Sequence, residues 1–283
     1  MTVEGSTGLH RTVAILTVLG TGEAAEQGGL GVVEIARRVG KEKTQVSRAL
    51  KSMEQTGLVE RDPHSLVYRL GWRMFTLAAN AGRPRLLAEG PAVLKRLVGV
   101  LKERVHVTVL CGEGVLTVLS ESPMRAIQAT GWVGRVTPLH STSSGRALLF
   151  DHSPDEIRLL CAGLSFGPGS YGADAPGASR APRDADDLIA RVGQARKTGY
   201  ALVDEEFEAG LVAAAAPVRD FRGRVIAAVN VSAPAHRMSR DLDRAGRLTQ
   251  AAADQLSRAM AGIGSTNGTR PPAACATPSP VRT

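Results

Sequence analysis

The residues between positions 37 and 51 have the composition of a surface that binds negative charge. This stretch holds six lysines or arginines against one acidic residue, Glu42. Val46, Leu50 and Met53 recur at helical spacing, which predicts a helix with one buried face. The opposite face would then present cations and hydrogen-bonding groups in a regular array. Such an array suits a partner with regularly spaced phosphates.

The elements predicted around this segment are those of a winged helix-turn-helix. Apolar spacing predicts helices over residues 10–19 and 32–39, and a third helix over 44–55 after a short turn. Residues 21–31 are rich in glycine, alanine and acidic side chains and are predicted to form a loop. Residues 58–70 predict a short hairpin around a turn. In this arrangement the last helix before the hairpin enters the major groove of DNA.

Several side chains of the third helix have the chemistry to read DNA. Arg48 could bind guanine through two hydrogen bonds, Gln45 could bind adenine, and Thr44 suits a thymine methyl group or a phosphate. Lys41 and Lys43 precede the helix and suit phosphates. The alternative is a solvated helix face, and the matched helix, turn and hairpin argue against it. The predicted DNA-binding residues are Lys41, Lys43, Thr44, Gln45, Ser47, Arg48 and Lys51, with Arg61 and Arg69 beside the hairpin.

The rest of the chain is predicted to form an α+β domain with an antiparallel sheet. Hydrophobic periodicity predicts helices over residues 72–80, 91–104, 186–197 and 240–263, and strand hairpins over 106–119 and 211–232. Residues 163–186 predict a long flexible loop. Cys111 and Cys161 lie among apolar residues and are predicted to be core residues. The predicted domains are a DNA-binding domain (1–71), a linker helix (72–90), a second domain (91–263) and a disordered tail (264–283).

Six longer motifs follow one another along residues 10–262. The first domain contains EIARRVG, KEKTQVSRALKSMEQTGLVERD and YRLG, and the second contains PLHSTSSGRALL, RKTGYALVDEE and AAAAPVRDFRGRVIAAVNVSAP. In order and spacing they resemble the IclR family of transcriptional regulators, with its H-x-(S/T)-x-x-G-K-A, G-Y-x-x-D-x-E-E, A-A-P-V and S-V-S-G-P motifs. The resemblance implies a winged-helix domain, a linker helix and a GAF-like effector-binding domain. It also implies a homodimer or homotetramer on a pseudo-palindromic operator in double-stranded DNA.

The same resemblance implies a small-molecule pocket in the second domain. The positions that it assigns to the pocket are Ser143, Ser144, Val203, Asp204, Ala213, Asn230 and Ser232. Arg125, Gln128 and Trp132 are further candidates. Val203, Ala213 and Asn230 depart from residues that are frequent in the family, namely an acid, a cysteine and a serine.

Loss of polar groups at some of these positions, with Ser143 and Ser144 retained, suggests an effector that is acidic at one end and less polar at the other. Amides at the start of the following helix would suit its carboxylate. The alternative for each position is ordinary packing or helix capping, because serine and threonine are common N-caps.

The sequence contains no pattern typical of an enzyme. The TSSG sequence around Ser143 is not the G-x-S-x-G of a nucleophile elbow. His106 and Cys111 would point to opposite faces of a strand. The acidic run at 204–208 fits a solvated turn, and no histidine at helical spacing accompanies it to complete a transition-metal site. We therefore expect no catalytic residue, no metal and no cofactor.

Composition sets the remaining bounds. The net charge of +8 is compatible with nucleic-acid binding. No run of 18 or more apolar residues occurs and the N-terminus lacks the features of a signal peptide, so we expect a cytoplasmic protein without a membrane partner. A second hypothesis keeps the DNA-binding dimer but gives the second domain only a role in oligomerisation, without an effector.

Overall fold

The computed structural model describes residues 7–79, 83–124, 131–166 and 180–262. The predicted tail, Arg125, Gln128 and most of the predicted loop at 163–186 lie outside these residues. The chain divides into two compact units: the first runs to Ala88 and also includes Trp132, and the second begins at Glu89 and resumes at Val133. None of the helices among the described residues has the length and hydropathy needed to span a membrane.

The first unit is a three-helix core closed by a small hairpin. Ile15, Ile35 and Leu50 are fully buried at its centre, so each of the three predicted helices contributes its apolar face to one core. Gly40 ends the second of them in a left-handed conformation, with φ of 64°. The elements are α1 (Thr7–Leu19), α2 (Gly22–Glu26), α3 (Val32–Val39), α4 (Lys43–Gln55), β1 (Val59–Arg61), β2 (Tyr68–Leu70) and α5 (Trp72–Ala79).

Helix α2 corrects the prediction of a loop over residues 21–31. The Oγ1 atom of Thr21 caps α2 by accepting a hydrogen bond from the amide of Ala24, whose side chain is buried. Glu23 accepts two hydrogen bonds from Arg38 of α3, at 2.8 and 3.0 Å. A cap and an ion pair to a distant residue therefore stabilise a helix too short to show a hydrophobic period.

Strands β1 and β2 form the predicted hairpin. Glu60 lies opposite Arg69 in an antiparallel register. The connecting turn is held by Asp62, whose Oδ1 atom accepts hydrogen bonds from the amides of His64 and Ser65 at 2.9 and 2.7 Å. Helices followed by this hairpin confirm the winged helix-turn-helix prediction.

The second unit is built on one antiparallel sheet. Its strands are β3 (Arg104–Cys111), β4 (Gly114–Glu121), β5 (Val136–Pro138), β6 (Ala201–Asp204), β7 (Leu211–Arg219) and β8 (Val225–Pro234). They lie in the order β5-β4-β3-β8-β7-β6. The helices are α6 (Pro84–Leu101, with its first turns in the first unit), α7 (Ser143–Leu148), α8 (Pro154–Leu160), α9 (Ala185–Thr198), α10 (Ala235–Met238) and α11 (Leu242–Met260). This arrangement confirms the α+β prediction and both predicted hairpins.

The two faces of the sheet differ in chemistry. One face is apolar, with Val105, Val107, Val229 and Val231 fully buried, and α11 packs against it. Helix α7 packs on the opposite face, which carries polar side chains among smaller apolar ones. In an antiparallel sheet alternate residues point to opposite faces, so the sequence alternation on β3 encodes this difference.

The helix predicted over residues 91–104 has different ends. The helix begins at Pro84, a residue type that the first turn of a helix tolerates. It then continues through Pro91. It ends at Leu101, because Lys102 adopts a left-handed conformation with φ of 57°. Arg104 therefore starts β3 and does not end the helix. The predicted boundary between the linker helix and the second domain falls inside α6, and the domain boundaries stay predictions.

Candidate DNA-binding helix and effector-binding face

Helix α4 has one buried face and one exposed face. Val46 and Leu50 are fully buried and Met53 is nearly so. These side chains fix the helix against α1 and α3, which leaves the polar side free of packing contacts. The seven predicted DNA-binding residues on α4 and in the turn before it are all exposed: Lys41, Lys43, Thr44, Gln45, Ser47, Arg48 and Lys51.

Carboxylates neutralise only part of the positive charge in this region. Glu34 pairs with both Arg37 and Arg38 at 2.6 Å, and Glu23 also pairs with Arg38. Hydrogen bonds from Arg37 and Arg38 lower the pKa of Glu34 to about 2, so this carboxylate stays ionised. Within the described part of the chain, no carboxylate forms an ion pair with Lys41, Lys43, Arg48 or Lys51. The uncompensated charge is therefore concentrated on α4 and its preceding turn.

The two arginines predicted beside the hairpin differ in their surroundings. Both are exposed. The guanidinium of Arg61 lies over the ring of Tyr68, 5.5 Å from its centre. Arg69 donates to Glu60 across the hairpin at 3.2 Å, so part of its charge is offset. Arg61 is thus the less compensated of the two.

Strand register brings most of the predicted effector residues together. Val203 lies opposite Ala213, and Ala213 lies opposite Ser232, so the three form one row across β6, β7 and β8. Asn230 lies two residues before Ser232 and shares its face of the sheet. Its Nδ2 atom donates to Oγ of Ser143 at 2.8 Å, which links the sheet to α7. Five of the seven predicted residues therefore meet between this face and α7.

The other two residues of that prediction occupy different surroundings. Asp204 follows Val203 on the strand and therefore points away from the row. It is exposed and pairs with Arg180 at 2.7 Å. Ser144 is buried in the first turn of α7. Trp132, a further candidate, is partly buried and groups with the first compact unit, not with the second.

The start of α7 is capped by the protein itself. Thr142 accepts a hydrogen bond from the amide of Gly145 at 3.1 Å and donates to the carbonyl of Pro138 at 2.7 Å. A Cβ atom at Gly145 would lie only 1.8 Å from the carbonyl oxygen of Leu139, so α7 can approach this segment only with glycine there. The expected capping is present, and one of the amides that could bind a carboxylate is already satisfied.

Polar residues on β3 belong to the same face and were not predicted as site residues. Arg104 lies opposite Ser232, and His106 lies opposite Asn230. His106 is buried, and its burial together with the charge of Arg104 lowers its pKa to about 4, so the imidazole is neutral at neutral pH. The alternation in the sequence RVHVT indicates that Arg104 and His106 share one face of a strand, but it does not show which strand lies beside them.

One residue of the acidic run at 204–208 is not solvated, which corrects that prediction. Glu206 is buried and bonds to Arg146 of α7 and to Arg191 of α9, the latter at 2.8 Å. Arg146 also donates to the carbonyl of Leu202 at 3.0 Å. This cluster ties α7 and α9 to the end of β6. Removing one partner would leave a buried charge uncompensated, which is strongly destabilising.

Of the cysteines that the structure describes, one is buried and one is exposed. Cys161 is buried as predicted, but Cys111 is exposed because it ends β3 beside the hairpin turn. Among the described residues, no group of three or more histidine, cysteine or acidic side chains is arranged to hold a metal ion.

Comparison with known families assigns both units. The model of the bacterial transcriptional regulator IclR C-terminal domain matches residues 82–258, and the model of the IclR helix-turn-helix domain matches residues 8–63. The chain belongs to the IclR family. It is a transcriptional regulator with a C-terminal effector-binding domain, as the sequence resemblance predicted.

Individual relatives agree with this assignment. The regulator KdgR of Escherichia coli is 28% identical over 81% of this chain and 84% of its own length. The regulator Rv1719 of Mycobacterium tuberculosis is 30% identical over 85% of this chain and 87% of its own length. Among solved structures, a putative regulator of the family from Silicibacter is 25% identical, with a TM-score of 0.68 over 94% of this chain and 98% of its own.

A second solved structure has a similar fold. It is an IclR homologue from Microbacterium hydrocarbonoxydans in complex with 4-hydroxybenzoate, with a TM-score of 0.73 at 23% identity. The match covers 90% of this chain and all of that one. The Microbacterium protein therefore shares the fold described for both units of this chain.

Proposed function

We propose that this regulator binds a specific operator sequence in double-stranded DNA through α4 and the β1–β2 hairpin. The observation that carries the proposal is the set of four uncompensated cations on and before α4, whose opposite face is fixed in the core. Arg48 and Gln45 read bases, and Lys41, Lys43 and Lys51 bind phosphates. Thr44 and Ser47 add contacts from the same helix, and Arg61 and Arg69 add contacts from the hairpin.

The second unit responds to a small organic acid. Its binding surface is the polar face of the sheet, where Ser143, Asn230 and Ser232 supply hydrogen-bonding groups beside the apolar Val203 and Ala213. This mixture suits a ligand with a polar end and a less polar end. The Microbacterium relative bound to 4-hydroxybenzoate, a carboxylate, supports the same class of effector. Ser144 lies close in sequence to this surface, whereas Asp204 points elsewhere.

The protein acts as a homodimer, or a pair of dimers, on a pseudo-palindromic site. Helix α5 exposes Trp72, Phe75 and Leu77, with 76%, 66% and 55% of each residue accessible. The rings of Trp72 and Phe75 pack edge to face, with centroids 6.3 Å apart. An apolar helix of this kind is covered when a second copy packs against it. Two reading helices related by a two-fold axis then match two half-sites.

Fluorescence anisotropy with the DNA upstream of the gene tests the DNA-binding part. The comparison is with scrambled DNA of equal length, at two salt concentrations. We expect the upstream DNA to bind at least about 1,000-fold more tightly than the scrambled DNA. Equal and salt-sensitive binding to both would indicate phosphate attraction alone and would contradict sequence-specific recognition.

A screen of small acids by thermal melting tests the effector part. A ligand that binds only the folded protein must raise its melting temperature. Protein that binds the operator but is stabilised by no acid would favour the second hypothesis, in which the second unit serves oligomerisation only.

A further inference from the structure

A single arginine lies in the row of residues that forms the proposed effector surface. Arg104, the first residue of β3, is directly opposite Ser232 on β8. Ser232 is in turn opposite Ala213, and Ala213 is opposite Val203. On its other side Arg104 donates from Nε to Oγ of Ser122 at 2.9 Å. Five residues from five neighbouring segments of the sheet thus form one row, with Ser122 directly after the end of β4.

The next row on the same face is uncharged. His106 lies opposite both Asn230 and Ser120, and Asn230 lies opposite Ala215. His106 is buried and neutral at neutral pH, partly because the Arg104 charge acts on it. The guanidinium is therefore near enough to the imidazole to influence its protonation. Among the members of these two rows, Arg104 is the one residue that carries a charge at neutral pH. The first row is Ser122, Arg104, Ser232, Ala213 and Val203, and the second is Ser120, His106, Asn230, Ala215 and Ala201.

The partial burial of Arg104 strengthens any interaction with an anion. The side chain is neither fully buried nor fully exposed, and burial lowers its pKa. Arginine side chains in proteins remain protonated at neutral pH. A cation at such a place is less screened than one at the surface. A guanidinium also presents paired donors that match the two oxygens of a carboxylate.

We propose that Arg104 binds the carboxylate of the effector and thereby makes the second unit selective for acids over their neutral analogues. This inference rests on the proposed function, because it names the residue that recognises the acidic end of the ligand. Ser232 and Asn230 bind neighbouring polar groups, and Ala213 and Val203 contact the less polar end. The start of α7 is the weaker alternative, since Thr142 already occupies the amide of Gly145.

The test compares acids with their amides as ligands of the full-length protein. The probes are three acids, each paired with its own amide: benzoate with benzamide, 4-hydroxybenzoate with 4-hydroxybenzamide, and succinate with succinamide. Isothermal titration gives the affinity of each pair for the wild type, Arg104→Gln, Arg104→Lys and Arg222→Gln. Arg222 is an exposed arginine in the β7–β8 turn, so its replacement removes the same charge away from the proposed surface.

We expect the wild type to prefer at least one acid over its amide by about 10- to 100-fold, as for a charge-assisted hydrogen bond. In Arg104→Gln this preference should fall to about one, because the acid binds more weakly while the amide binds as before. Arg104→Lys should retain part of it, and Arg222→Gln all of it. A variant whose fold is damaged would lose affinity for the acid and for the amide together. The ratio of acid affinity to amide affinity therefore separates loss of carboxylate recognition from structural damage.

Two results would overturn the inference in distinguishable ways. An acid preference that persists in Arg104→Gln would place the carboxylate elsewhere and leave the proposed function intact. A wild type that binds none of the acids, or binds acids and amides equally, would contradict the organic-acid effector in the proposed function, and the inference would fail with it.

Discussion

At the residue scale, the side chains of α4 divide into those buried in the core and those that are exposed and that we propose contact DNA. Val46 and Leu50 are fully buried, whereas Arg48 is exposed and has no carboxylate partner among the described residues. Both sets follow from the sequence, since a 3.6-residue period separates them. The sequence could not show which cations stay uncompensated. Glu34 pairs with Arg37 and Arg38 within α3, but the pair between Glu23 and Arg38 forms only once α2 lies beside α3.

Arg48→Ala should lower the discrimination between operator and scrambled DNA. If Arg48 reads a base, the loss should be roughly 1–3 kcal/mol at one position of the site. The measurement is anisotropy on the operator and on operators with single base changes. Lys43→Ala should instead weaken binding to every sequence alike and reduce the salt slope by about one. Arg222→Ala is the control; discrimination unchanged in Arg48→Ala would assign base reading to another residue.

His106 should make stability depend on pH. Its pKa is about 4 in the folded protein, mainly because of burial, against 6.5 when exposed. The unfolded chain therefore binds the proton more readily, and stability is full above pH 6.5 and falls as the pH drops towards 4. The loss across this window is roughly 3 kcal/mol. Burial also lowers the pKa of His140, which adds to the same trend.

His106→Gln should flatten this dependence, and urea unfolding between pH 4 and 7 measures it. His64→Gln, which removes an exposed imidazole from the hairpin turn, is the control. A slope that is the same in His106→Gln and the wild type would show that other groups cause the acid sensitivity.

At the scale of elements, helices and hairpins with a clear hydrophobic period were predictable, and those without one were not. Helices α3, α4 and α9 and the hairpins β3–β4 and β7–β8 follow their predicted limits closely. Helix α2 was missed because its stability comes from a cap and an ion pair. The start of α6 was placed too late because Pro84 and Pro91 suggested breaks that the helix accommodates.

Gly145 should be essential for the position of α7. A Cβ atom at this position would collide with backbone atoms of Leu139, the nearest at 1.8 Å, and backbone cannot move aside cheaply. We expect Gly145→Ala to destabilise the second unit by about 3 kcal/mol, at the upper end of what overpacking costs. Urea denaturation followed by circular dichroism measures the change.

Gly193→Ala in α9 is the matched control for that substitution. Nothing lies within 4 Å of the Cβ atom it would add, so the helix should gain about 0.5–1 kcal/mol of stability. Equal stability of Gly145→Ala and the wild type would mean that α7 can move away from Leu139.

At the scale of the whole molecule, the proposed recognition of a pseudo-palindromic operator requires two copies of the chain. Trp72→Glu combined with Phe75→Glu should convert the dimer to a monomer, because two charges on the exposed apolar face of α5 cannot be buried without a large cost. Sedimentation velocity measures the mass, and operator affinity should fall with it. Leu159→Glu, which changes an equally exposed leucine on α8, is the control. A double variant that remains dimeric would locate the interface elsewhere.

The sequence motifs identified the family, and the strand register added two residues to the proposed effector surface. The motif residues Ala213, Asn230 and Ser232 follow from the resemblance alone. Arg104 and His106 join them only when β3 pairs with β8, a contact between residues more than a hundred positions apart. Long-range pairing of this kind cannot be deduced from local periodicity, which is why these two residues were missed.

The most direct test of the account is whether DNA and effector affect each other's binding. Operator affinity is measured by anisotropy with and without the acid that binds best, and acid affinity is measured by titration with and without operator. We expect the acid to change operator affinity by about 5- to 150-fold and the operator to change acid affinity by the same factor. Tight binding of both ligands with no mutual effect would contradict it, since a regulator controlled by its effector must favour one state over another.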